Sequence, residues 1–237
     1  MESSSPSRRS RRTEALSADA IVGAAIAVLD AEGEDALTFR SLSTALRTGP
    51  GAIYHHLSSK QEILASAATR LVREAIAAVP ARSDAEGAVR AVMLALFDLI
   101  DSHPWVGAQL AREPWQAAVL EIFESVGGHL DGLGVEDRRQ FGAASTLTGF
   151  VLGVAGQYAA AARLSRDVER SAFLREIATG WRGEASAASR PFVHRMADRL
   201  AEHDEREQFA EGVDVILAGI VSLAAPPLSS ASRAAAR

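Results

Sequence analysis

The sequence predicts an all-α fold in which three short helices precede a larger helical body. Alanine supplies much of the 48% hydrophobic content while aromatic residues make up only 5%, and alanine favours helices over strands. Apolar residues recur in steps of three and four near the C-terminus, at Phe209, Val213, Ile216 and Ile220, as on one face of a helix. No segment shows the period-two alternation of a half-buried strand, and no internal repeat is present.

The composition limits the class of protein further. A chain of 237 residues holds one large domain or two small ones. The lack of cysteine excludes disulfides, thiolate metal sites and a cysteine nucleophile. The net charge of −5 argues against bulk coating of nucleic acid, although such an average hides local basic surfaces. Residues 80–237 contain no phosphate-binding glycine loop, nucleophile elbow or metal-spaced histidine pair, so we expect neither an enzyme nor a cofactor.

Two segments imitate targeting or membrane elements. Arginines near the N-terminus precede an apolar run from Ala20 to Leu29, as in a twin-arginine export signal, but Glu14 and Asp19 lie between them and no cleavage site follows. Residues 141–162 are uncharged and long enough to cross a bilayer, yet they hold glycines and hydroxyl side chains in place of large aliphatic residues. We therefore expect a soluble, cytoplasmic protein with no membrane partner.

Helix caps and stops organise the first domain, predicted over residues 17–62. Ser17 caps a helix that Gly33 ends, Thr38 caps a second helix, and Pro50 is the first residue of a third. A short helix, a tight turn and a second short helix make a helix-turn-helix, whose second helix enters the major groove of DNA by its N-terminal residues.

The larger body, predicted over residues 63–225, consists of long helices with short joints. Lys60 begins a helix that continues to about Val79 without a break where it leaves the first domain. The later helices are predicted from capping residues, prolines and flanking glycines. They are a helix from Asp84 to Ser102, one that begins at Pro104, one that begins at Pro114, one from Asp137 to Leu164, one from Val168 to Ile177, one that begins at Pro191, and a last one that contains Phe209 to Leu223. Residues 1–16, rich in serine and arginine, are expected to be disordered, and residues 226–237 to be frayed.

The segment from residue 36 to residue 60 contains no aspartate or glutamate, although acidic residues come directly before it. It holds three basic residues and two histidines: Arg40, Arg47, Lys60, His55 and His56. A local positive surface is what phosphate contact requires, because neutralised phosphates release counterions. An ordinary solvated patch accounts equally well for the charge alone. The helix-turn-helix arrangement favours DNA binding.

The run LTFRSLSTALRTGPGAIYHHLSSKQEIL, residues 37–64, resembles the helix-turn-helix signature of the TetR family of bacterial transcriptional regulators without a gap. The run FAEGVDVILAGI, residues 209–220, more weakly resembles the final dimerisation helix of many members. Two positions depart from the pattern. Arg47 stands where most members have a glycine in the turn, which predicts strain in a left-handed conformation, and Thr48 replaces the usual apolar residue.

The resemblance implies a set of DNA contacts. Phosphate contacts are implied from Thr38, Tyr54, His56 and Lys60, and base-edge or close-groove contacts from Arg40, Gly51, Ala52 and His55. Thr48 is a further candidate for a phosphate contact. Two alternatives stay open: His56 as a packing or capping residue, and Tyr54 as a half-core residue with only its hydroxyl outside. Arg40 is the strongest candidate for sequence readout, because a guanidinium fork can grip a guanine.

The resemblance also implies that the body binds a ligand and dimerises. Candidate ligand contacts are the polar and aromatic residues His103, Trp105, Trp115, Gln157, Tyr158 and Trp181, each with an alternative role in the core. Candidate dimer contacts are the glycine stripe Gly149, Gly153 and Gly156 together with Phe209, Val213, Ile216 and Ile220, and an internal helix crossing is the alternative for the glycines.

These observations lead to one expected function and one alternative. The expected function is a sequence-specific DNA-binding transcriptional regulator, a homodimeric repressor released from a palindromic operator by a small-molecule effector. Its partners are then a double-stranded DNA operator, an unknown effector and a second copy of itself. The alternative is a helical protein-interaction module that has lost DNA binding.

Overall fold

Helices make up the regular structure of the chain. The computed structural model describes residues 16–82, 84–113, 116–164, 170–202 and 204–224. Within these ranges there are twelve α-helices, two short 3₁₀ turns and no strand, which confirms the predicted all-α class. The chain divides between Ala67 and Ala68 into two compact units, and the division falls inside the fourth helix.

The first unit is built from three helices and the start of a fourth: α1 (Ala18–Glu32), α2 (Phe39–Leu46), α3 (Pro50–His56) and α4 (Lys60–Ala77). Ser17 caps α1 by accepting a hydrogen bond from the Ala20 N–H at 3.1 Å. Gly33 ends α1 with a φ of 81°, which a residue with a side chain rarely adopts. The predicted caps at Ser17 and Thr38 and the predicted first residues Pro50 and Lys60 are all confirmed.

One apolar core holds α1, α2 and α3 together. Ile21 and Ala25 of α1, Leu42 of α2 and Ile53 of α3 are fully buried, and Ile63 of α4 is 1% exposed. These residues follow the helical spacing read from the sequence, so each helix turns its apolar stripe inward. The opposite faces of α2 and α3 are left to solvent, and the predicted DNA contacts lie there.

The second unit contains the rest of α4 and eight further helices: α5 (Ala85–Ser102), α6 (Pro104–Arg112), α7 (Ala117–Gly127), α8 (Asp137–Leu164), α9 (Arg170–Arg182), α10 (Glu184–Ser189), α11 (Pro191–Glu202) and α12 (Glu205–Ala224). Asp84 caps α5, and Pro104 and Pro191 begin α6 and α11, as predicted. The prediction of a helix ending at Ile177 is wrong, because α9 continues to Arg182. The short α10 was not predicted. The predicted starts at Pro114 and Val168 lie outside the described residues.

The core of the second unit forms where α5, α6, α7 and α12 pack around the long α8. Leu147, Val151 and Ala155 of α8 are fully buried. At the crossing of α6 and α8, a Cβ on Gly107 would lie 3.0 Å from the Ala155 carbonyl oxygen. Glycine therefore allows the two backbones to approach closely at this point.

Two ion pairs join α5 to α12 at the surface. Arg90 donates to the Asp214 carboxylate at 2.7 Å, and Arg206 donates to the Asp98 carboxylate at 2.6 Å. Exposed pairs of this kind stabilise a fold by at most about 1 kcal/mol each, so they fix the register of the two helices more than they add stability. Among the described residues, no helix is both long and apolar enough to span a membrane.

Candidate nucleic-acid interface

A turn of three residues joins α2 to α3. Its first residue, Arg47, has φ 52° and ψ 44°, the left-handed conformation in which the sequence predicts strain. The Arg47 N–H donates to the Thr44 carbonyl at 3.3 Å, and the Thr48 N–H donates to the Ser43 carbonyl at 3.0 Å. The turn thus satisfies the last carbonyls of α2, although a left-handed conformation costs an L-residue about 1–2 kcal/mol.

Replacing Arg47 with glycine is expected to stabilise the first unit by about 0.5–1 kcal/mol, because the relief of strain exceeds the added entropy of the unfolded chain. Hydrogen exchange of the α2 and α3 amides measures this change. The control is Arg47→Ala, which removes the charge but keeps a Cβ and should give no gain. Equal exchange in the two variants would show that the turn is not strained.

The position of α3 follows from its first residues and its buried face. Gly49 precedes the helix in an extended conformation and Pro50 is its first residue. Ile53 is fully buried and Leu57 is 6% exposed. Because these two side chains face the core, the residues between Pro50 and Ile53 lie on the outer surface at the N-terminal end of α3.

Most of the residues implied as DNA contacts are brought to this outer surface. Those that are exposed are Thr38, Arg40, Gly51, Ala52, Tyr54, His55 and His56, while Thr48 and Lys60 are half-buried. None of them is buried. The exposed position of His56 at the end of α3 does not favour the alternative in which it packs in the core.

Tyr54 links α3 to α2 through an aromatic stack. Its ring lies 3.8 Å from the Phe39 ring, centroid to centroid, at an interplanar angle of 10°. Tyr54 is nevertheless 52% exposed, so it is a surface residue supported from one side. Phe39 had not been identified from the sequence as part of the site. Its position directly after the Thr38 cap places it on the first turn of α2.

The first turn of α2 is fixed by reciprocal capping. The Thr38 hydroxyl accepts from the Ser41 N–H, and the Ser41 hydroxyl accepts from the Thr38 N–H, both at 3.0 Å. The spacing Thr-x-x-Ser resembles the capping box, with serine in place of the acidic residue. Ser41 is a structural residue that the charge pattern did not reveal. The cap also holds Arg40 on a rigid helical turn.

Lys60 makes a contact that was not predicted. Its ammonium donates a hydrogen bond to the backbone carbonyl of Glu34 at 2.6 Å, in a partly buried position. Glu34 lies in the 3₁₀ turn Glu34–Ala36 between α1 and α2. The two residues are 26 positions apart in the chain, and no local pattern in the sequence points to this pairing.

A second cap begins α4 immediately after the acid-free segment. The Glu62 carboxylate accepts hydrogen bonds from the N–H and the hydroxyl of Ser58, both at 2.7 Å, and the Glu62 N–H donates to the Ser59 hydroxyl at 3.1 Å. The hydrogen bonds from Ser58 lower the pKa of Glu62. The acid-free segment is therefore followed by an ionised carboxylate, which also complements the N-terminal dipole of α4.

The predicted ligand residues are distributed over several elements of the second unit. Trp105 and Tyr158 are each 9% exposed, and His103 lies at the joint of α5 and α6 with its ring 6.4 Å from that of Trp105. Gln157 is exposed on α8 and Trp181 is half-buried on α9. Trp115 lies outside the described residues. The Tyr158 hydroxyl donates to the Glu205 carboxylate at 2.7 Å.

Two buried glutamines were missed by the sequence reasoning. Gln109 is 1% exposed and Gln116 is 8% exposed. The Gln116 amide donates to the Gln109 backbone carbonyl at 2.7 Å, and the Gln109 amide donates to the Gln116 side-chain oxygen at 3.3 Å. Their mutual pairing lets these polar groups be buried, and it closes the connection between α6 and α7.

Thr148 on α8 is a buried polar residue of a different kind. It is 5% exposed, and its hydroxyl has no hydrogen-bond partner among the described residues. Thr44, Thr146 and Thr179 instead donate to the carbonyl four residues earlier in their helices. An unsatisfied buried hydroxyl costs about 1–3 kcal/mol, so Thr148 is a polar candidate for a ligand contact inside this unit, as is His194, whose Nδ1 is also buried without a partner among the described residues.

Replacing Thr148 with valine is expected to raise the free energy of unfolding by about 1–2 kcal/mol, because the substitution keeps the shape and removes the unsatisfied group. Thermal unfolding measures the change. The matched control is Thr146→Val on the exposed face of the same helix, which should stay within about 0.5 kcal/mol of the parent chain. A loss of stability in Thr148→Val would show that its hydroxyl is satisfied in solution.

The predicted dimer residues separate into two groups. Gly149 and Gly153 are exposed and Gly156 is half-buried on α8, and a Cβ on any of them would meet nothing within 4 Å. On α12, however, Phe209, Val213 and Ile220 are buried inside the protomer and Ile216 is half-buried. Burial of Phe209, Val213 and Ile220 in the protomer's own core does not favour them as dimer contacts, and the part that α12 takes in a dimer stays a prediction.

Comparison with known proteins places the whole architecture in one family. The profile described as "Bacterial regulatory proteins, tetR family" matches residues 21–67, and that described as "Tetracyclin repressor-like, C-terminal domain" matches residues 86–223. The solved structure of the transcriptional regulator SCO7222, a TetR from Streptomyces coelicolor, is 42% identical with a TM-score of 0.78, and the match covers 89% of this chain and 100% of that one.

Two more distant relatives extend the comparison. ActR from Streptomyces coelicolor, solved in complex with actinorhodin, is 24% identical with a TM-score of 0.71 over 87% of this chain and 96% of that one. The HTH-type transcriptional repressor DrrR1 of Streptomyces coeruleorubidus is 28% identical over 158 residues, 63% of this chain and 56% of that protein. The chain spans about half the length of the curated relatives it matches. With profiles matched in both units, the chain belongs to the TetR family of bacterial transcriptional regulators.

Proposed function

We propose that this protein is a homodimeric repressor that binds a palindromic DNA operator and is released from it by a small-molecule effector. The observation that carries the proposal is the exposed outer surface of α2 and α3. It contains basic residues and histidines and no acidic residue between positions 36 and 60, in a chain of net charge −5. Such a surface suits the phosphate backbone of DNA and the N-terminal end of a recognition helix.

The proposed roles follow from position and chemistry. Arg40 reads a base edge with its guanidinium, while Gly51 and Ala52 bring the backbone of α3 close to the groove floor. Thr38, Thr48, Tyr54, His56 and Lys60 contact phosphates and so set the register of the protein on the duplex. His55 projects from the same exposed surface and completes the group of groove contacts.

Gly51 gives a direct test of this interface. Since a Cβ at Gly51 would meet nothing within 4 Å, the fold itself does not require glycine in this helix. Replacing Gly51 with alanine is therefore expected to raise stability by about 0.5–1 kcal/mol while lowering operator affinity, because the methyl group occupies space needed for close approach. Titration and thermal unfolding measure the two effects, with Gly180→Ala on α9 as the control. Unchanged operator affinity in Gly51→Ala would show that Gly51 does not lie in the DNA interface.

Dimerisation is proposed through the outer faces of α8 and α12. In the glycine stripe of α8, Gly149 and Gly153 are exposed and Gly156 is half-buried, with open space at each Cβ position. On α12, Val215 is 73% and Leu223 is 61% exposed, on the side opposite the buried stripe or at its edge. Small and apolar exposed residues at helical spacing suit close packing against a second copy. A two-fold dimer would then place two recognition helices one DNA turn apart, about 34–36 Å.

Effector control is proposed to act through the second unit and α4. ActR carries actinorhodin in its solved complex, and the unpaired hydroxyl of Thr148 supports a polar ligand contact in the present chain. An effector that binds more tightly to a conformation with α4 tilted would lower the fraction of protein competent for the operator. The shift can be no larger than the difference in its affinity for the two conformations.

Selection of binding sites from random duplexes tests the proposal. The purified chain is expected to enrich a palindromic site whose half-sites lie about one helical turn apart, and mutation of either half-site should abolish tight binding. Enrichment of no motif, with the chain still folded, would favour a helical protein-interaction module.

A further inference from the structure

Lys60 is the only lysine in the chain, and it is the first residue of α4. Its ammonium donates to the Glu34 carbonyl at 2.6 Å in a partly buried site. No other hydrogen bond of this side chain is found within the described part of the structure. The contact spans from the start of α4 to the turn between α1 and α2, all within the first unit.

The Glu34 carbonyl also stabilises the turn that precedes α2. It accepts a second hydrogen bond from the N–H of Leu37 at 3.2 Å, and Leu37 is 1% exposed. A carbonyl oxygen has two lone pairs, so it can hold both donors at once. The Ser41 hydroxyl donates to the Ala36 carbonyl at 2.8 Å in the same turn. The 3₁₀ turn is thus held by Lys60 on one side and by the α2 capping residues on the other.

The path continues to the residues proposed to read DNA. Leu37 precedes Thr38, the N-cap of α2, and Arg40 lies on the first turn that this cap fixes. Phe39, on the same turn, stacks on Tyr54 of α3 at 3.8 Å. A displacement of the Glu34–Ala36 turn would therefore move the first turn of α2 and, through the ring stack, the outer surface of α3.

We propose that Lys60 is a positioning residue: its hydrogen bond to the Glu34 carbonyl couples the start of α4 to the N-terminal turn of α2 and so sets the geometry of the DNA-reading surface. The inference rests on the proposed function as a DNA-binding regulator. Lys60 can hold this position and contact a phosphate at the same time, because its ammonium has three donors and the Glu34 carbonyl accepts only one of them. A motion of α4 that lengthens this bond would loosen the reading surface before any contact with DNA is lost.

The phosphate role and the positioning role of Lys60 predict different losses of DNA affinity when the side chain is replaced. A phosphate contact contributes equally to operator and non-operator DNA, so its removal weakens both alike. A positioning contact matters most where side chains must meet particular base edges, so its removal lowers the ratio of operator to non-operator affinity. It also alters the protein in the absence of DNA, which a phosphate contact does not.

The test compares Lys60→Met, Lys60→Arg and the parent chain by hydrogen exchange of the Leu37 amide in the DNA-free protein and by titration of operator and scrambled duplexes. In Lys60→Met, exchange of Leu37 is expected to be about tenfold faster and the operator-to-scrambled affinity ratio lower by about the same factor. Lys60→Arg, which keeps a cation and hydrogen-bond donors, should restore both towards the parent values. Arg138→Gln removes an exposed cation from the second unit, and it should change neither.

Unchanged Leu37 exchange in Lys60→Met, or an equal loss of affinity for both duplexes, would overturn the positioning role. Failure of the parent chain to bind any duplex would instead overturn the proposed function. In that case the exchange rates of the DNA-free variants still decide whether Lys60 holds the turn.

Discussion

Replacing Arg40 with alanine is expected to lower operator affinity by about 1–3 kcal/mol, or roughly fivefold to 150-fold, and to relax discrimination at one base pair. Arg40 is exposed on the capped first turn of α2, and its guanidinium has no hydrogen bond to another described residue. Its removal should therefore leave stability unchanged. Titrations against operators altered at single base pairs measure the effect.

The control is Arg40→Lys, which keeps the charge but loses the planar fork. It should retain affinity for scrambled DNA while losing discrimination at the same base pair as Arg40→Ala. A uniform loss on every duplex in Arg40→Ala would mean that Arg40 contacts phosphate and does not read a base.

Replacing Phe209 with alanine is expected to destabilise the second unit by about 3–5 kcal/mol. Phe209 is 3% exposed, and its ring stacks on Phe150 at a centroid distance of 4.9 Å and lies 5.0 Å from Phe97. The substitution leaves a cavity where α5, α8 and α12 meet. Thermal unfolding should show a fall in midpoint of roughly 6–20 °C, given about 2–4 °C per kcal/mol for a unit of this size.

The control for Phe209 is Leu120→Ala, at a side chain 55% exposed on α7, which should stay within about 0.5 kcal/mol of the parent chain. The stability of Phe209→Ala also decides whether Phe209 lies in the protomer core or at a subunit interface. A variant of Phe209 that kept its stability and merely became monomeric would place the side chain at a subunit interface, as the sequence had predicted.

Local chemistry explains which parts of the fold were predictable. The caps at Thr38 and Asp84 and the helix starts at Pro50, Pro104 and Pro191 depend on residues adjacent in the chain, so they can be read from one sequence. The expectation of strain at Arg47 came from the resemblance instead, because most family members have glycine at that position. The late end of α9 was missed although Gly183, a residue type that commonly ends helices, directly follows Arg182, and the short α10 was not predicted.

Periodicity predicts that a helix has a buried face but does not identify what buries it. The stripe through Phe209 and Val213 was predicted to face a second copy. In the structure both side chains are buried in the protomer, and the Phe209 ring packs against Phe97 and Phe150. The exposed side of α12, with Val215 and Leu223, shows a weaker apolar pattern because Gly219 interrupts it.

The sequence pointed to the surface residues of the candidate DNA site, whose contacts with DNA stay a prediction, but not to the residues that support them. The exposed surface follows from the acid-free segment and the spacing of α2 and α3. The supporting contacts, Phe39 against Tyr54 and Lys60 against Glu34, join residues 15 and 26 positions apart in the printed sequence. Such long-range contacts depend on how the helices pack and carry no local signal.

Titration of the selected operator with the purified protein over a series of salt concentrations tests whether the protein binds DNA as a dimer and in a sequence-specific way. We expect two protomers per duplex, an affinity at least about 10³-fold above that for a scrambled duplex at the same salt, and a linear fall of log K with log salt. A chain that stays monomeric and binds both duplexes equally weakly, even at low salt, would contradict it.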